Sequence, residues 1–402
     1  MDPIRNPYAP GAGRRPPELA GRTAELAAFD VVLERIARGR AERSIVLTGL
    51  RGVGKTVLLN SLRSAAVRAG WGTGKLEARP DQSVRRPLAA ALHLAVRELG
   101  GTDGESTRHV LGVLKSFALK APTETKLRDR WHPGIEAPAV PGRADSGDIE
   151  IDLVELFSDA AGLAADNGRG IALFIDEMQD LSPVDVSALC AACHELSQNG
   201  LPLVVVGAGL PHLPAVLSAS KSYSERLFSY ARIDRLDRTA ADQALQTPAR
   251  EEDAEFTDEA LEAMYAVTAG YPYFIQAYGK AVWDAAPRNP ISAADVEVAS
   301  PEASAELAVG FFGSRYERAT PAEREYLRGM AAAAEAESAD SGAAVSTAAV
   351  AELLGRKPQS LSPARDALMK KGLIYSAERG SIAFSVPHFG GYLRAQSTEA
   401  PA

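Results

Sequence analysis

The chain has 402 residues, 46% of them apolar and 24% charged, and a formal net charge of −8. That length accommodates two or three domains with their own hydrophobic cores, and the acidic balance excludes a protein that coats nucleic acid non-specifically over its whole surface. No apolar run reaches the roughly 18 residues of a membrane helix, and the opening residues lack a signal-peptide core. The expectation is a cytoplasmic protein without a membrane partner.

Residues 1–20 are rich in Pro, Gly and Arg and read as a flexible N-terminal arm or a strap across the domain. A helix follows from Glu18 through Glu25, Leu26, Phe29, Val32 and Leu33 to about Arg38. Next, the apolar strand Ser44-Ile45-Val46-Leu47-Thr48 empties into Gly49-Leu50-Arg51-Gly52-Val53-Gly54-Lys55-Thr56, and an amphipathic helix occupies 57–70. A strand, a G-x-x-x-x-G-K-T loop and a helix in this order cradle phosphates with inward-pointing N–H groups. The spacing assigns nucleoside triphosphate binding to Gly49, Leu50, Arg51, Gly52, Val53, Gly54, Lys55, Thr56 and Val57, with Lys55 reaching the β/γ-phosphates and Thr56 ligating Mg²⁺. Gly49 and Gly54 are expected to supply backbone angles closed to other residues, and Gly52 to let phosphate approach.

Residues 71–79 read as a strand interrupted by glycines, 88–99 as a helix, and 120–148, with Pro122, Pro133, Pro138 and Pro141, as a long and flexible excursion. After a helix over 149–165 comes Ile171-Ala172-Leu173-Phe174-Ile175-Asp176-Glu177, a near-continuous apolar run of the kind buried in a parallel sheet. Ligands sit at the C-terminal ends of such strands, so Asp176 is expected on Mg²⁺ and Glu177 as the base that polarises water toward the γ-phosphate. Cys190 and Cys193 share a helix face beside His194, but no second cysteine pair accompanies them, so they read as buried thiols. The run 201–209 is a neighbouring strand that ends in Gly207, Ala208 and Gly209, without a polar side chain for the γ-phosphate. Residues 232–236 are expected as a short final strand, and the alternation of strands and helices implies a parallel sheet covered on both faces.

From about 239 Ala-rich helices take over. Thr257 and Ser292 read as N-caps, a helix ends near Gly270, and Pro272 opens the next. Thr320 caps a further helix, an acidic insertion covers about 335–342, and two short helices follow, one from Ser346 to Gly355 and one from Pro358 to Gly372. Strands at 373–375 and 381–386 complete a helix-turn-helix with a wing, a shape whose second helix enters a DNA major groove. Arg356, Lys357, Arg365, Lys370, Lys371 and Arg379 make this region locally basic, while Gln359, Ser360 and Ser362 are available to bases or phosphates. The same module also serves as a protein dock, so double-stranded DNA and a protein partner both stand as readings.

Over residues 18–395 the chain resembles AAA+ ATPases of the origin-recognition and replication-initiator type. The resemblance rests on Gly21-Arg22 with Glu25-Leu26, the glycine loop as Walker A, Ile171 to Glu177 as Walker B, Gly270-Tyr271-Pro272, and the ending from Arg365 to Pro387. It implies an α/β P-loop NTPase (AAA+) three-layer core with a parallel sheet over 21–238, a helical lid over 239–312 and a winged helix-turn-helix over 313–396. It further implies ATP and Mg²⁺ as ligands, homo-oligomerisation through the ATP site, and an arginine that completes a neighbour's site, with Arg226 the candidate and Arg232 its competitor. Two positions depart from that pattern: Tyr273 stands where the lid carries an arginine, and the strand after Walker B lacks its polar sensor. Slow hydrolysis is therefore expected, coupled to a DNA-binding winged helix. The alternatives are a signalling ATPase docking a protein and, with little support, a small-molecule kinase.

Overall fold

A computed structural model describes residues 1–11, 13–80, 82–99, 104–120, 134–336, 344–378, 380–386 and 388–399. The chain divides into two compact units, Thr23–Thr48 with Leu58–Arg232, and Met1–Arg22 with Gly49–Val57 and Ile233–Ala402.

Among the described residues the first unit holds a parallel five-stranded sheet of β1 (Ser44–Thr48), β2 (Gly72–Glu77), β3 (Ile171–Asp176), β4 (Leu203–Gly209) and β5 (Phe228–Arg232), in the order β2-β3-β4-β1-β5. All residues of β3 and β4 are buried, which is why their sequences run apolar without alternation. On one face Ile171, Leu173, Ile175 and Val205 join a core with the helices Arg85–Glu98, Glu105–Leu119, Ile149–Asp166 and Pro183–Asn199. On the other, Phe174 meets Phe29 of the helix Thr23–Ala37 edge to face at 6.2 Å. Fully burying each such ring contributes about 1.5–3 kcal/mol.

Three elements differ from the sequence reading. The last strand lies at 228–232 rather than 232–236: it is an edge strand, and only Phe228 is buried, so its apolar signal is weak. A helix, Glu105–Leu119, was not expected. Residues 134–148 lie against it instead of looping free: Lys115 Nζ donates to the Ala137 carbonyl (3.0 Å), Ser116 Oγ to that of Val140 (2.7 Å), and Ile135, Ala137 and Ala144 are buried. Of that excursion, 121–133 falls outside the described residues. Cys190 and Cys193 are buried thiols, and burial pushes them up to about 11 and about 12.

An ion pair sits inside this unit. Arg85 Nη2 donates to Asp152 Oδ2 at 2.6 Å with both side chains almost wholly buried, Ser146 donates to the other carboxylate oxygen, and the guanidinium lies 4.8 Å over the Phe117 ring. Burial alone would raise the Asp152 carboxyl, but the bonds from Ser146 and Arg85 outweigh it and hold it below the ordinary range. Arg85→Ala leaves this charge uncompensated and is expected to cost about 3 kcal/mol, read as a lower urea midpoint for the sheet unit. Conversely, the stability that the wild-type pair supplies is present above the usual aspartate pKa and fades as pH falls below it.

In the second unit, Thr257 accepts from the amide of Ala260 to start the helix Asp258–Thr268, Pro272 opens the helix Pro272–Ala285, and Ser292 and Asp295 close a reciprocal capping box. Phe311 and Phe312 lie in a π-helical turn, Ala308–Gly313. The helices Thr347–Leu353 and Pro358–Lys370 meet at a turn with Gly355 at φ +60°, and β6 (Val345–Ser346), β7 (Ile374–Glu378) and β8 (Ser381–Phe384) pair antiparallel in the order β6-β8-β7. The third strand, β6, is too short to read from sequence. Most of the acidic insertion, 337–343, falls outside the described residues. The N-terminal segment, expected as a flexible arm or a strap, takes the strap form: Tyr8 is buried, its hydroxyl donates to the Leu245 carbonyl (2.6 Å), and its ring meets Phe256 and Trp283 edge on.

Candidate functional site

The glycine loop, Gly49–Val57, begins where β1 ends, and Lys55 starts the helix Lys55–Arg68. Gly52 and Gly54 stand at φ +86° and +91°, the alternation that turns successive N–H groups into an anion-binding concavity. Gly49 serves otherwise than expected: its φ is not left-handed, and a Cβ there would lie 2.1 Å from the Ile233 carbonyl oxygen, so close backbone approach is what requires glycine. Lys55 Nζ donates to the carbonyls of Gly49 (2.8 Å) and Leu50 (2.7 Å), which places its charge across the mouth of the loop. The inward-turned loop, the start of the helix Lys55–Arg68 and this ammonium suit a phosphate chain.

The same loop is held from outside by other parts of its unit. Arg22 Nη2 donates to the carbonyls of Val53 (3.2 Å) and Asp234 (2.5 Å). The Tyr273 amide, in the first turn of its helix, donates to the Gly52 carbonyl (3.3 Å), and the Tyr273 ring stacks on Phe311 at 4.6 Å. The Arg51 amide donates to the carbonyl of Ser385, just beyond β8, at 2.9 Å. A Cβ on Gly372 would lie 2.5 Å from Arg51 Nη2, so the guanidinium rests on the turn before β7. Arg315 is a further cation of this region that the sequence reading missed: its guanidinium lies 4.0 Å over Phe311, and burial, then the like charge of Arg51, lowers its pKa.

In the sheet unit, Asp176 closes β3 with its carboxylate accepting the amide of Glu177 (3.0 Å). Glu177 leaves the strand in the left-handed region (φ 49°, ψ 41°), a conformation that costs a non-glycine residue about 1–2 kcal/mol and is found where surrounding structure enforces it. Gln179, two residues on, donates from Nε2 to Glu177 Oε2 at 2.6 Å. The sequence reading passed over this residue; its spacing after the Asp-Glu pair is the available signal. β4 lies between β1 and β3, all three running parallel, with Thr48 beside Gly209 and Ile175 beside Gly207. The ends of β1 and β3 therefore share one sheet edge, two strand spacings or roughly 10 Å apart.

Arg226 is exposed on the short helix Ser224–Leu227 and makes no ion pair among the described residues; Arg232 is the exposed last residue of β5.

The basic set of the winged region is only partly available. Arg356 pairs with Glu325 (3.2 Å), Arg365 with its neighbour Asp366 (3.0 Å), and Lys371 with Glu323 (2.6 Å). Glu323 is buried; burial alone would raise its carboxyl, but Lys371 and the Thr320 amide hold it below the ordinary range. Lys371 is thus a counter-charge within the fold. Ser360, in the first turn of its helix, donates from Oγ to the Lys357 carbonyl (2.8 Å), while Lys357, Gln359 and Lys370 are exposed. Among the described residues neither Lys357 nor Lys370 makes an ion pair. Arg379 falls outside the described residues.

Residues 18–206 match a family model described as an AAA ATPase domain, and residues 309–393 match one described as a domain of unknown function (DUF8462). No curated protein matches the chain. Among solved structures it is similar to the Walker-type ATPase PABY2304 of Pyrococcus abyssi, at 16% identity and TM-score 0.58, covering 94% of this chain and 97% of that one. It also matches the Orc1 protein of Aeropyrum pernix in complex with DNA, at 15% identity and TM-score 0.46, over 95% of this chain and 94% of that one. A third match is the RuvB Holliday junction branch migration motor of Thermotoga maritima, at 18% identity and TM-score 0.44, over 97% and 100% of the two chains. The fold comparison rests on the first. Together with the matched core it gives an α/β P-loop NTPase fold of the AAA+ type, with a parallel sheet, a helical lid and a C-terminal helical region consistent with a winged helix.

Proposed function

We propose that this AAA+ fold binds and slowly hydrolyses ATP, and that its nucleotide state sets the position of a DNA-binding winged helix. The observation that carries the reading is the bond from the Arg51 amide to the Ser385 carbonyl, 2.9 Å, which joins the phosphate loop directly to the wing. A loop that shifts around its phosphates cannot keep that bond unless the wing shifts with it.

Within this reading, residues Gly49 to Val57 hold the phosphates through backbone N–H groups, and Lys55 places a point charge on the β/γ-phosphates. Thr56 and Asp176 are the residues that would hold Mg²⁺, which would supply neutralising charge to the phosphates. Glu177 accepts the proton of the attacking water, and Arg226, with Arg232 as the competitor, completes the site of a neighbouring copy in a homo-oligomer. Slow turnover is supported by Tyr273, which spends its position on the Gly52 carbonyl and on Phe311 and brings no cation.

Duplex DNA is the proposed ligand of the helix Pro358–Lys370, with Lys357, Lys370, Gln359, Ser360, Arg356 and Arg365 along or beside it. Its test is affinity for duplex DNA measured against salt, with ATP and with ADP. Lys357→Glu combined with Lys370→Glu is expected to weaken binding and to flatten the slope of log affinity against log salt by about 2, one for each phosphate contact. Unchanged affinity and slope would remove DNA from this surface. A protein partner is the second reading, favoured by the neutralisation of Arg356, Arg365 and Lys371 by Glu325, Asp366 and Glu323.

A further inference from the structure

We propose that Gln179 is a positioning residue for ATP hydrolysis, orienting the Glu177 carboxylate and tying it to the end of β4. The proposal rests on the reading of Glu177 as the base for water. By sequence, β4 ends in Val206-Gly207-Ala208-Gly209 and offers no polar side chain. The place is filled from the turn that follows the neighbouring strand, β3.

After β3 the chain turns through Glu177 into the 3-10 turn Met178–Asp180, which leans on β4. A Cβ on Gly207 would lie 2.4 Å from Met178 Sδ, and one on Gly209 would lie 2.7 Å from Gln179 Oε1. The two glycines admit the two side chains. Gln179 Oε1 accepts from the Leu210 amide at 3.1 Å, and its Nε2 donates to Glu177 Oε2 at 2.6 Å. The orientation of the amide follows from its partners. A backbone N–H can only donate, so the atom facing Leu210 is the carbonyl oxygen, and the NH₂ group is left for the carboxylate. Fixed at both ends, the Gln179 side chain fixes one oxygen of Glu177 in turn, the relation of an orienting group to a general base. A shift of the β4 end reaches the Glu177 carboxylate through this amide.

A group that acts only through the base is expected to change kcat and leave nucleotide affinity alone. In the full chain, Gln179→Ala is expected to lower kcat for ATP by about 10- to 100-fold, the scale of a misplaced reacting group, with the Kd for a fluorescent ATP analogue within about two-fold of wild type. Gln179→Glu keeps the side-chain shape while removing the donor, and is expected to show the same split if the alanine variant folds poorly. Adding Gln179→Ala to Glu177→Gln is expected to lower kcat no further, because a positioning residue has nothing left to position. With Glu177→Gln slowed by about 10²–10⁴-fold but still measurable, an unchanged or raised kcat in both Gln179 variants, or a further independent loss in the double variant, overturns the role of Gln179 and leaves the reading of Glu177 standing. Should Glu177→Gln itself turn over at the wild-type rate, the base assignment fails first, and Gln179 falls with it.

Discussion

Lys55→Ala is expected to abolish measurable ATP binding. The ammonium sits across the mouth of the loop on the carbonyls of Gly49 and Leu50 and is almost buried, so it is held where a phosphate chain would meet it. Truncating one member of a desolvated charge pair costs about 2–5 kcal/mol, equivalent to an affinity loss between roughly 30-fold and several thousand-fold. Part of that loss comes from the protein itself, because the two carbonyls lose a donor that helps close the loop. Equilibrium titration with a fluorescent ATP analogue in Mg²⁺ gives the answer, and an affinity within a factor of three of wild type would remove Lys55 from the phosphate site. Circular dichroism on the same sample separates loss of the site from loss of the fold.

Glu177→Gln should behave in the opposite way, retaining ATP while losing turnover. The amide is nearly isosteric with the carboxylate and cannot take a proton from water, so the loss falls on kcat, by about 10²–10⁴-fold. Single-turnover measurement with labelled ATP distinguishes the outcomes: ATP bound but uncleaved supports the base, and equal loss of binding and turnover makes Glu177 a structural residue instead. The left-handed backbone of Glu177 is independent of its side chain, so the substitution leaves the turn after β3 in place. Such a variant, arrested with ATP, is also the form in which to ask whether the winged helix has moved.

Much of this architecture is legible residue by residue. The glycine loop, the apolar run ending at Asp176, the caps at Thr257 and Ser292, and Pro272 and Pro358 in first helical turns are local signals, and each governs the few residues around it. Weak signals failed where tertiary contact does the stabilising. The edge strand β5 carries little apolar character because one of its sides has no strand partner, and β6 is two residues that pair only because β8 lies beside them. The helix Glu105–Leu119 went unread, and residues 134–148, which pack on it, belong to a proline-rich stretch read as free loop.

By itself the sequence determined that a glycine loop opens a helix, that an Asp-Glu pair ends a buried strand, and that two short helices are followed by a pair of strands. These depend on backbone conformations and spacings that a handful of consecutive residues enforce. Only the tertiary structure decided that Arg51 bonds to Ser385, that Gln179 spans Glu177 and Leu210, and that Lys371 neutralises Glu323 instead of facing outward. Each is a contact between residues distant in the chain or on different strands, where a hydrogen bond of one particular geometry, and not any periodicity, selects the partner.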